Sequence, residues 1–389
     1  MTFLNAMWRI RMRKTFKYRI YPTKKQTITL NQHLEKCRWL YNYFLGQRKS
    51  AYENEGESIS RFEQQSQIPS IEATKGIIHS QVLQDVTKRV DLAYKAFFRR
   101  VKSGEKPGYP RFKGIGRYDS ITYPQQPSFR LTEHGLRLSK IGNIKIKLHR
   151  PIKGIAKTCI IRKNGSHWYA CISCEYEIDI VTQKENTNPI GVDVGLTSFA
   201  TLSNGDKVNN PRHLRKNEKI LKQRQRSLSH KKRGSANRKK ARVKVKDTYR
   251  KVTNQRNDFH HKVSRAIVDS FTAIAVEDLT IKNMVKNHYL AKSISDAGWG
   301  CFLDMLQYKA AEAGTGFERV APHYTSIICS GCGNRVTKTL AIRIHRCLDC
   351  GLSICRDQNA AINILQKSKY RRDYGNLRLG DMPAVRLAA

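Results

Sequence analysis

Two pairs of cysteines, Cys329-x-x-Cys332 and Cys347-x-x-Cys350, constrain the fold of this chain more than any other stretch. The pairs stand 14 residues apart, with Gly331, Gly333 and Gly351 in or just after them. Glycine reaches the positive backbone torsions that a tight cysteine knuckle needs. Two knuckles can place four thiolates around one tetrahedral ion, so the spacing predicts a zinc ribbon with Cys329, Cys332, Cys347 and Cys350 as ligands of a structural Zn²⁺. Four thiolates fill the coordination shell and leave no open position for catalysis. Cys355, just past the ribbon, reads as a packed thiol rather than a fifth ligand. Cys171-x-x-Cys174 lies inside a strand pattern with no second pair beside it, which favours a structural role.

Directly after the ribbon, helical spacing puts Asp357 on one stripe with Ala360, Ala361, Ile364 and Leu365. An acid along a buried stripe is costly unless something positive meets it. The same difficulty arises twice more. In 190–195, strand alternation puts Ile190, Val192 and Val194 on one face, and Asp193 between Gly191 and Gly195 on the other, a bare face with room beside the carboxylate. The apolar run from Thr272 to Val276 ends at Glu277, which alternation groups with Ala273 and Ala275. Period alone does not decide whether Glu277 or Asp278 turns inward.

Each acid has an ordinary explanation: a turn, a solvated strand end, a first helical turn favoured by the dipole. Three on awkward faces together point instead to divalent metal. Mg²⁺ takes carboxylate oxygens and keeps positions open for phosphate and water. Two such ions roughly 4 Å apart can activate a water and stabilise the leaving oxygen of a phosphodiester.

Composition narrows the partner. The 389 residues hold 73 Lys and Arg against 31 Asp and Glu, a formal charge of +42, which calls for a polyanion, and nucleic acid is the first choice. A membrane surface is less suited, since no apolar run approaches about 18 residues. The N-terminus lacks a sustained apolar segment and cleavage site, so secretion is not indicated. The ten cysteines then read as reduced thiols or metal ligands. Met7 and Met12 are alternative starts, which makes the first eleven residues an expected unstructured extension.

In chain order, a strand over 14–21 is stopped by Pro22, and a helix over about 23–53 follows, with Leu30, Leu34, Cys37, Leu40, Tyr41 and Phe44 near the 3.6 period. A second helix over 81–101 offers Leu83, Val86, Val90, Leu92, Ala93, Ala96 and Phe97 as core. A basic, aromatic loop covers 104–113. Alternating segments over 143–148, 158–162 and 167–176 suggest a small antiparallel β module. Asn204-Gly205 marks a hairpin turn. Residues 212–265 carry 21 Lys and Arg against 3 acids and read as two helices joined near Gly234-Ser235, a solvated hairpin suited to lie along phosphates. A helix over 302–313 and a strand over 317–320 lead into the ribbon. The tail from 367 to 389 is expected to be mobile.

The chain resembles TnpB, the transposon-encoded relatives of type V CRISPR effectors. The matching stretches are Gly191-Val-Asp-Val-Gly-Leu196, Val276-Glu-Asp-Leu279, Trp299-Gly-Cys-Phe-Leu-Asp-Met-Leu-Gln-Tyr-Lys309, Tyr324-Thr-Ser-Ile-Ile-Cys-Ser-Gly-Cys-Gly333 and Arg356-Asp-Gln-Asn-Ala-Ala-Ile-Asn-Ile364. The similarity covers nearly the whole chain and is looser before Pro189.

The resemblance implies an α+β multidomain chain with an RNase H-like RuvC nuclease domain, in which Asp193, Glu277 and Asp357 are the catalytic acids that hold two Mg²⁺; it selects Glu277 over Asp278. It implies a β-rich wedge module over 12–188 with a helical recognition insertion over about 23–115. The nuclease domain would cover 189–366, with the basic helical segment 211–265 and the zinc ribbon 322–355. An extension (1–11) and a mobile basic tail (367–389) would flank these. The partners implied are a guide RNA and double-stranded target DNA, with sequence read by guide pairing. The location implied is the prokaryotic cytoplasm, at the nucleoid when bound to DNA. Family members commonly carry an acid two residues before the last catalytic Asp, where this chain has Cys355.

The function expected is therefore an RNA-guided DNA endonuclease. A nuclease-inactive guide-dependent DNA-binding protein and a DNA transposase proper are the alternatives. Three retained acids weigh against the first, and bound RNA would exclude the second.

Overall fold

Alternation along β1 (Arg9–Tyr21) buries Phe16, Tyr18 and Ile20 and leaves Lys17 and Arg19 in solvent. The computed structural model describes residues 9–179, 187–339 and 342–371, which fall into two units divided between 179 and 180. Arg9 to Arg11 are strand residues, so that part of the expected N-terminal extension belongs to a sheet. The rest of it lies outside the described residues.

In the first unit, β1 is followed by α1 (Lys24–Glu55), α2 (Arg61–Ser66) and α3 (Ser80–Lys102). The strands β2 (Ser120–Tyr123), β3 (Phe129–Thr132), β4 (Gly135–Leu138), β5 (Gly142–Lys147), β6 (Ile155–Asn164) and β7 (His167–Asp179) complete it. All pairings are antiparallel, in the order β2-β6-β7-β1-β5-β4-β3. Pro22 cannot continue the ladder, and Thr23 opens α1 through a capping box with Gln26. All six residues predicted for its apolar stripe are buried.

α3 departs from expectation in its second half. Leu83, Val86 and Val90 are buried, but Leu92 is exposed and Ala93, Ala96 and Phe97 are half-buried. Leu92 falls outside the three-and-four spacing that 83, 86, 90, 93 and 97 keep. Phe97 is met by an aromatic loop residue, Tyr109, at a centroid distance of 5.4 Å. Cys174 is buried and Cys171 half-buried, both free thiols. Three residues apart on a strand, they point to opposite faces and cannot share an ion.

The second unit is a five-stranded sheet built from β8 (Pro189–Val194), β9 (Ser198–Leu202), β10 (Lys207–Asn209), β11 (Ala273–Glu277) and β12 (Gly316–Val320). Its order is β10-β9-β8-β11-β12, with β8, β11 and β12 parallel and the rest antiparallel. Between β10 and β11 run the basic helices α4 (His213–Ser229) and α5 (Ala236–Ser270). Longer than the predicted segment, α5 ends in apolar turns that place Val263, Ile267 and Val268 in the core. Next come α6 (Ile281–Met284), α7 (His288–Ala297) and α8 (Trp299–Ala313). A two-stranded ribbon, β13 (Ile344–Arg346) and β14 (Ser353–Cys355), then leads into α9 (Arg356–Lys367).

The sheet is covered on both faces. Ile190, Val192, Ile274 and Val276 join Phe302, Leu303 and Leu306 of α8 in the larger core. The opposite face, bare in the sequence reading, is the seat of α9. A Cβ placed on Gly191 would stand 1.9 Å from the Ala361 carbonyl oxygen and 3.0 Å from the Leu365 Cβ. Glycine and alanine are needed there so that a helix can lie directly on the strands, burying Ile364 and Leu365 against Ala275 and Val320. Each of these large side chains contributes roughly 1.5–3 kcal/mol by burial.

Gly191→Ala is therefore expected to destabilise this unit by about 3 kcal/mol, the upper end of overpacking costs. Urea denaturation would show it. An unchanged midpoint would mean that α9 can back away at little cost.

Past α9, Ser368 is buried and Tyr370 packs at Gly316, so the start of the tail is ordered. The remainder of the tail lies outside the described residues. No helix among the described residues is long and apolar enough to cross a membrane.

Candidate active site

Parallel pairing of β8 with β11 sets Ile274 beside Ile190, Ala275 beside Gly191 and Val276 beside Val192. One step further along the same register come Glu277 and Asp193. Both acids thus stand at the carboxyl ends of neighbouring parallel strands, the edge where open α/β sheets bind ligands. α9 lies on the same face of these strands and carries Asp357 in its first turn. Three separate parts of the chain are brought together by one helix seated on two strands.

Electrostatics identify Asp193 as the shared member. Burial, then the negative charges of Glu277 and Asp357, push its carboxyl well above the usual carboxylate range, and the nearby Arg356 pulls it down. Burial also raises Glu277, opposed by a hydrogen bond from Thr325 and by the charge of Lys367. Asp357 accepts from the Arg356 guanidinium at 3.2 and 3.3 Å, and Arg343 approaches it at 4.0 Å. Asp278 points away, two-thirds exposed and 3.9 Å from Arg319. The ambiguity between the adjacent acids is resolved by Thr325, which holds the Glu277 carboxylate at 2.5 Å.

The carboxylates do not close around a single point. Among the described residues, the only set of three or more His, Cys, Asp or Glu ligand atoms within 4.8 Å of one another is the cysteine quartet. Three acids that do not converge on one point suit a pair of ions better than one, since paired catalytic ions sit about 3.5–4 Å apart. The negative charge gathered around Asp193, in a set of hard oxygen donors, fits divalent cations.

The quartet of Cys329, Cys332, Cys347 and Cys350 could hold a structural metal ion. Cys329 and Cys350 sulfurs are 3.6 Å apart, as are those of Cys332 and Cys347. Four thiolates sharing an ion at about 2.3 Å give a similar separation. The two knuckles have matching backbones: Gly333 N–H donates to the Cys329 carbonyl and Gly351 N–H to that of Cys347, both glycines with φ near +75° to +80°. Cys355 is half-buried at the junction of β14 and α9 and lies near enough to Asp193 to raise it. It stands outside the cysteine quartet, beside the acid site.

Several residues here escaped sequence reasoning. Asn359 and Asn363 are buried on α9 and hydrogen-bond the first knuckle, and Thr325 and Arg356 hold two of the acids. The two asparagines did leave a signal. Four residues apart on an apolar stripe, they have to find buried partners.

The basic hairpin is as predicted in outline. Arg224 donates to the Lys244 carbonyl and Thr248, and Arg238 to the carbonyls of Leu228 and Lys231, which ties α4 to α5. Only Leu221, Val245 and Val252 are buried apolar side chains of its body, so its many cations face water.

Comparison with known proteins gives three domain profiles: "Helix-turn-helix domain" over 12–57, "Probable transposase" over 172–288, and "Cas12f1-like, TNB domain" over 299–364. The first falls on β1 and the single long helix α1 rather than on two short helices. The chain is 33% identical over 366 residues to a "Putative RNA-guided DNA endonuclease" of Streptomyces pristinaespiralis, covering 91% of this chain and 89% of that one. It is 29% identical to the "Putative RNA-guided DNA endonuclease InsQ" of Escherichia coli K12, covering 90% and 91%. Among solved structures it is similar to Cas12f1 in a Cas12f1-sgRNA-target DNA complex, with a TM-score of 0.55 at 13% identity over 91% of this chain and 98% of that one.

Proposed function

The chain belongs to the TnpB family, and from that membership we propose that it is an RNA-guided DNA endonuclease whose metal site is built by Asp193, Glu277 and Asp357. The observation that carries the reading is that Asp193 and Glu277 end neighbouring parallel strands while α9, packed on those strands, carries Asp357, with both other charges raising Asp193. Gathering three acids at one end of a sheet has no structural benefit. It makes sense where cations are to be held.

On this reading the unit from residue 189 onward is an RNase H-like RuvC nuclease domain, and residues 12–188 form the wedge and recognition region that grips the guide RNA and target DNA. Asp193, Glu277 and Asp357 would together hold two Mg²⁺ ions. When bound, the ions supply a water acidic enough to attack a phosphodiester and a positive centre for the leaving oxygen. The chain's own part is to hold the three carboxylates in place and oriented, Asp193 and Glu277 in surroundings that disfavour their charged forms unless a cation offsets them. α9 sets the position of Asp357, the β8–β11 register sets Asp193 against Glu277, and Arg356 and Arg343 offer positive charge beside Asp357 where a DNA backbone would approach. The cysteine quartet would hold Zn²⁺ as a structural ion, and the α4–α5 hairpin would lie along phosphates.

The test is direct. RNA co-purifying with the protein from its host should be of defined sequence with a variable end, and the complex with Mg²⁺ should cut a plasmid matching that end. Absence of RNA together with DNA end-joining would favour a transposase. Defined RNA without cleavage would leave a guided binding protein.

A further inference from the structure

Thr325 stands in the tight turn that enters the cysteine ribbon and is 2% exposed. Its hydroxyl donates to Glu277 Oε1 at 2.5 Å, far closer than its alternative acceptor, the Pro322 carbonyl at 3.3 Å. The turn itself is anchored from α9. Asn363 Nδ2 donates to the carbonyls of both Thr325 and Ile328 at 2.7 Å, and Asn359 donates to Ile328 at 2.8 Å while accepting from Ser330 N–H at 2.9 Å. Both asparagines are buried, at 3% and 0% exposure.

We propose that Thr325 is a positioning residue for Glu277, and that Asn363 ties it, together with the first cysteine knuckle, to the helix that presents Asp357. The inference rests on the metal-site reading above. A carboxylate at a strand end can rotate, and an ion is held well only if its ligand is already aimed. Here one oxygen of Glu277 is engaged by a buried hydroxyl, which fixes the plane of the carboxylate and leaves the other oxygen for an ion. Because the hydroxyl sits on a turn held by α9, the geometry of two acids, Glu277 and Asp357, is set by one helix. The cysteine knuckle shares that anchor, so its integrity reaches the acid site through Asn363 and Thr325 rather than through any contact of the thiolates with DNA.

Mn²⁺ binding to the purified full-length chain, followed by electron paramagnetic resonance with thermal melting in parallel, tests this. Thr325→Val keeps the side-chain shape without the hydroxyl and should weaken Mn²⁺ binding about tenfold, the lower range for loss of a group that orients a metal ligand. Thr325→Ser should restore it to within about twofold. Asp193→Ala serves as the reference that loses the site. If Thr325→Val binds Mn²⁺ as the wild type does while Asp193→Ala does not, the positioning role is overturned and the metal site stands. If Thr325→Ser is as weak as Thr325→Val, packing rather than the hydroxyl is responsible, and the role is again overturned. If Asp193→Ala also binds normally, the metal-site reading fails and takes this inference with it.

Discussion

Replacing Asp193 with alanine is expected to lower DNA cleavage by at least about a thousandfold, roughly 4 kcal/mol, while guide RNA remains bound. Loss of one preorganised electrostatic group commonly costs about that much, and Asp193 is the acid that faces both of the others. RNA grip should survive because the parts proposed to hold nucleic acid, residues 12–188 and the exposed cations of α4 and α5, do not include this carboxylate. Cleavage of a matched plasmid and retention of RNA on the purified protein are the two measurements. Wild-type cleavage by the variant would remove Asp193 from the site.

Asp193→Asn adds a readout that does not depend on activity. Its folded pKa is raised above the unfolded value near ~3.9. With that sign, the contribution of Asp193 to stability is fully present at low pH and is lost as pH rises toward the folded value. At neutral pH the metal-free wild type therefore carries the cost that burial and the neighbouring acids impose on an ionisable Asp193. Asparagine relieves it, so the variant should melt a few degrees higher without metal, the shift that ~1 kcal/mol gives in a domain of this size. It should also lose the stabilisation that Mg²⁺ or Mn²⁺ confers on the wild type.

Removal of the structural ion, by chelation or by Cys332→Ser, is the second large effect. Apparent binding energies of structural Zn²⁺ run to about 10–16 kcal/mol, at least as large as the whole stability of a typical domain. The ribbon has little else to hold it. β13 and β14 are three residues each, and Leu348 at the turn between them is 98% exposed. Loss of the ion should open residues 329–350 to protease and abolish bound zinc. It should also weaken cleavage, because Asn359 and Asn363 lose their buried partners on the knuckle. An unchanged digestion pattern and metal content in Cys332→Ser would count against a closed tetrahedral site.

The main elements of the acid site could be read before any fold was known because each follows a local rule. Alternation put Asp193 among glycines, helical spacing put Asp357 on the buried stripe, and cysteine spacing paired the knuckles. Local rules failed where a neighbour distant in sequence decides. Glu277 and Asp278 are equivalent to a period of two, and only Thr325, 48 residues later, draws one of them inward. The glycine face beside Asp193 looked open because nothing local says that α9, some 170 residues further on, fills it. Leu92 is apolar enough for a core, but its angular position on α3 leaves it in solvent.

By itself, then, the sequence determined the kind of chemistry available: a polycationic chain, three acids with no business on apolar elements, and four thiols spaced for one ion. These are properties of residue type and short-range period, which hold whatever the rest of the chain does. The tertiary structure alone decided that Asp193 is the middle acid, that Arg356 and Thr325 hold its two companions, and that the ribbon and the acids share a single helix. Those facts depend on a parallel strand register and on a backbone approach that only Gly191 allows, and both arise from contacts between segments too far apart in the chain for any local pattern to record.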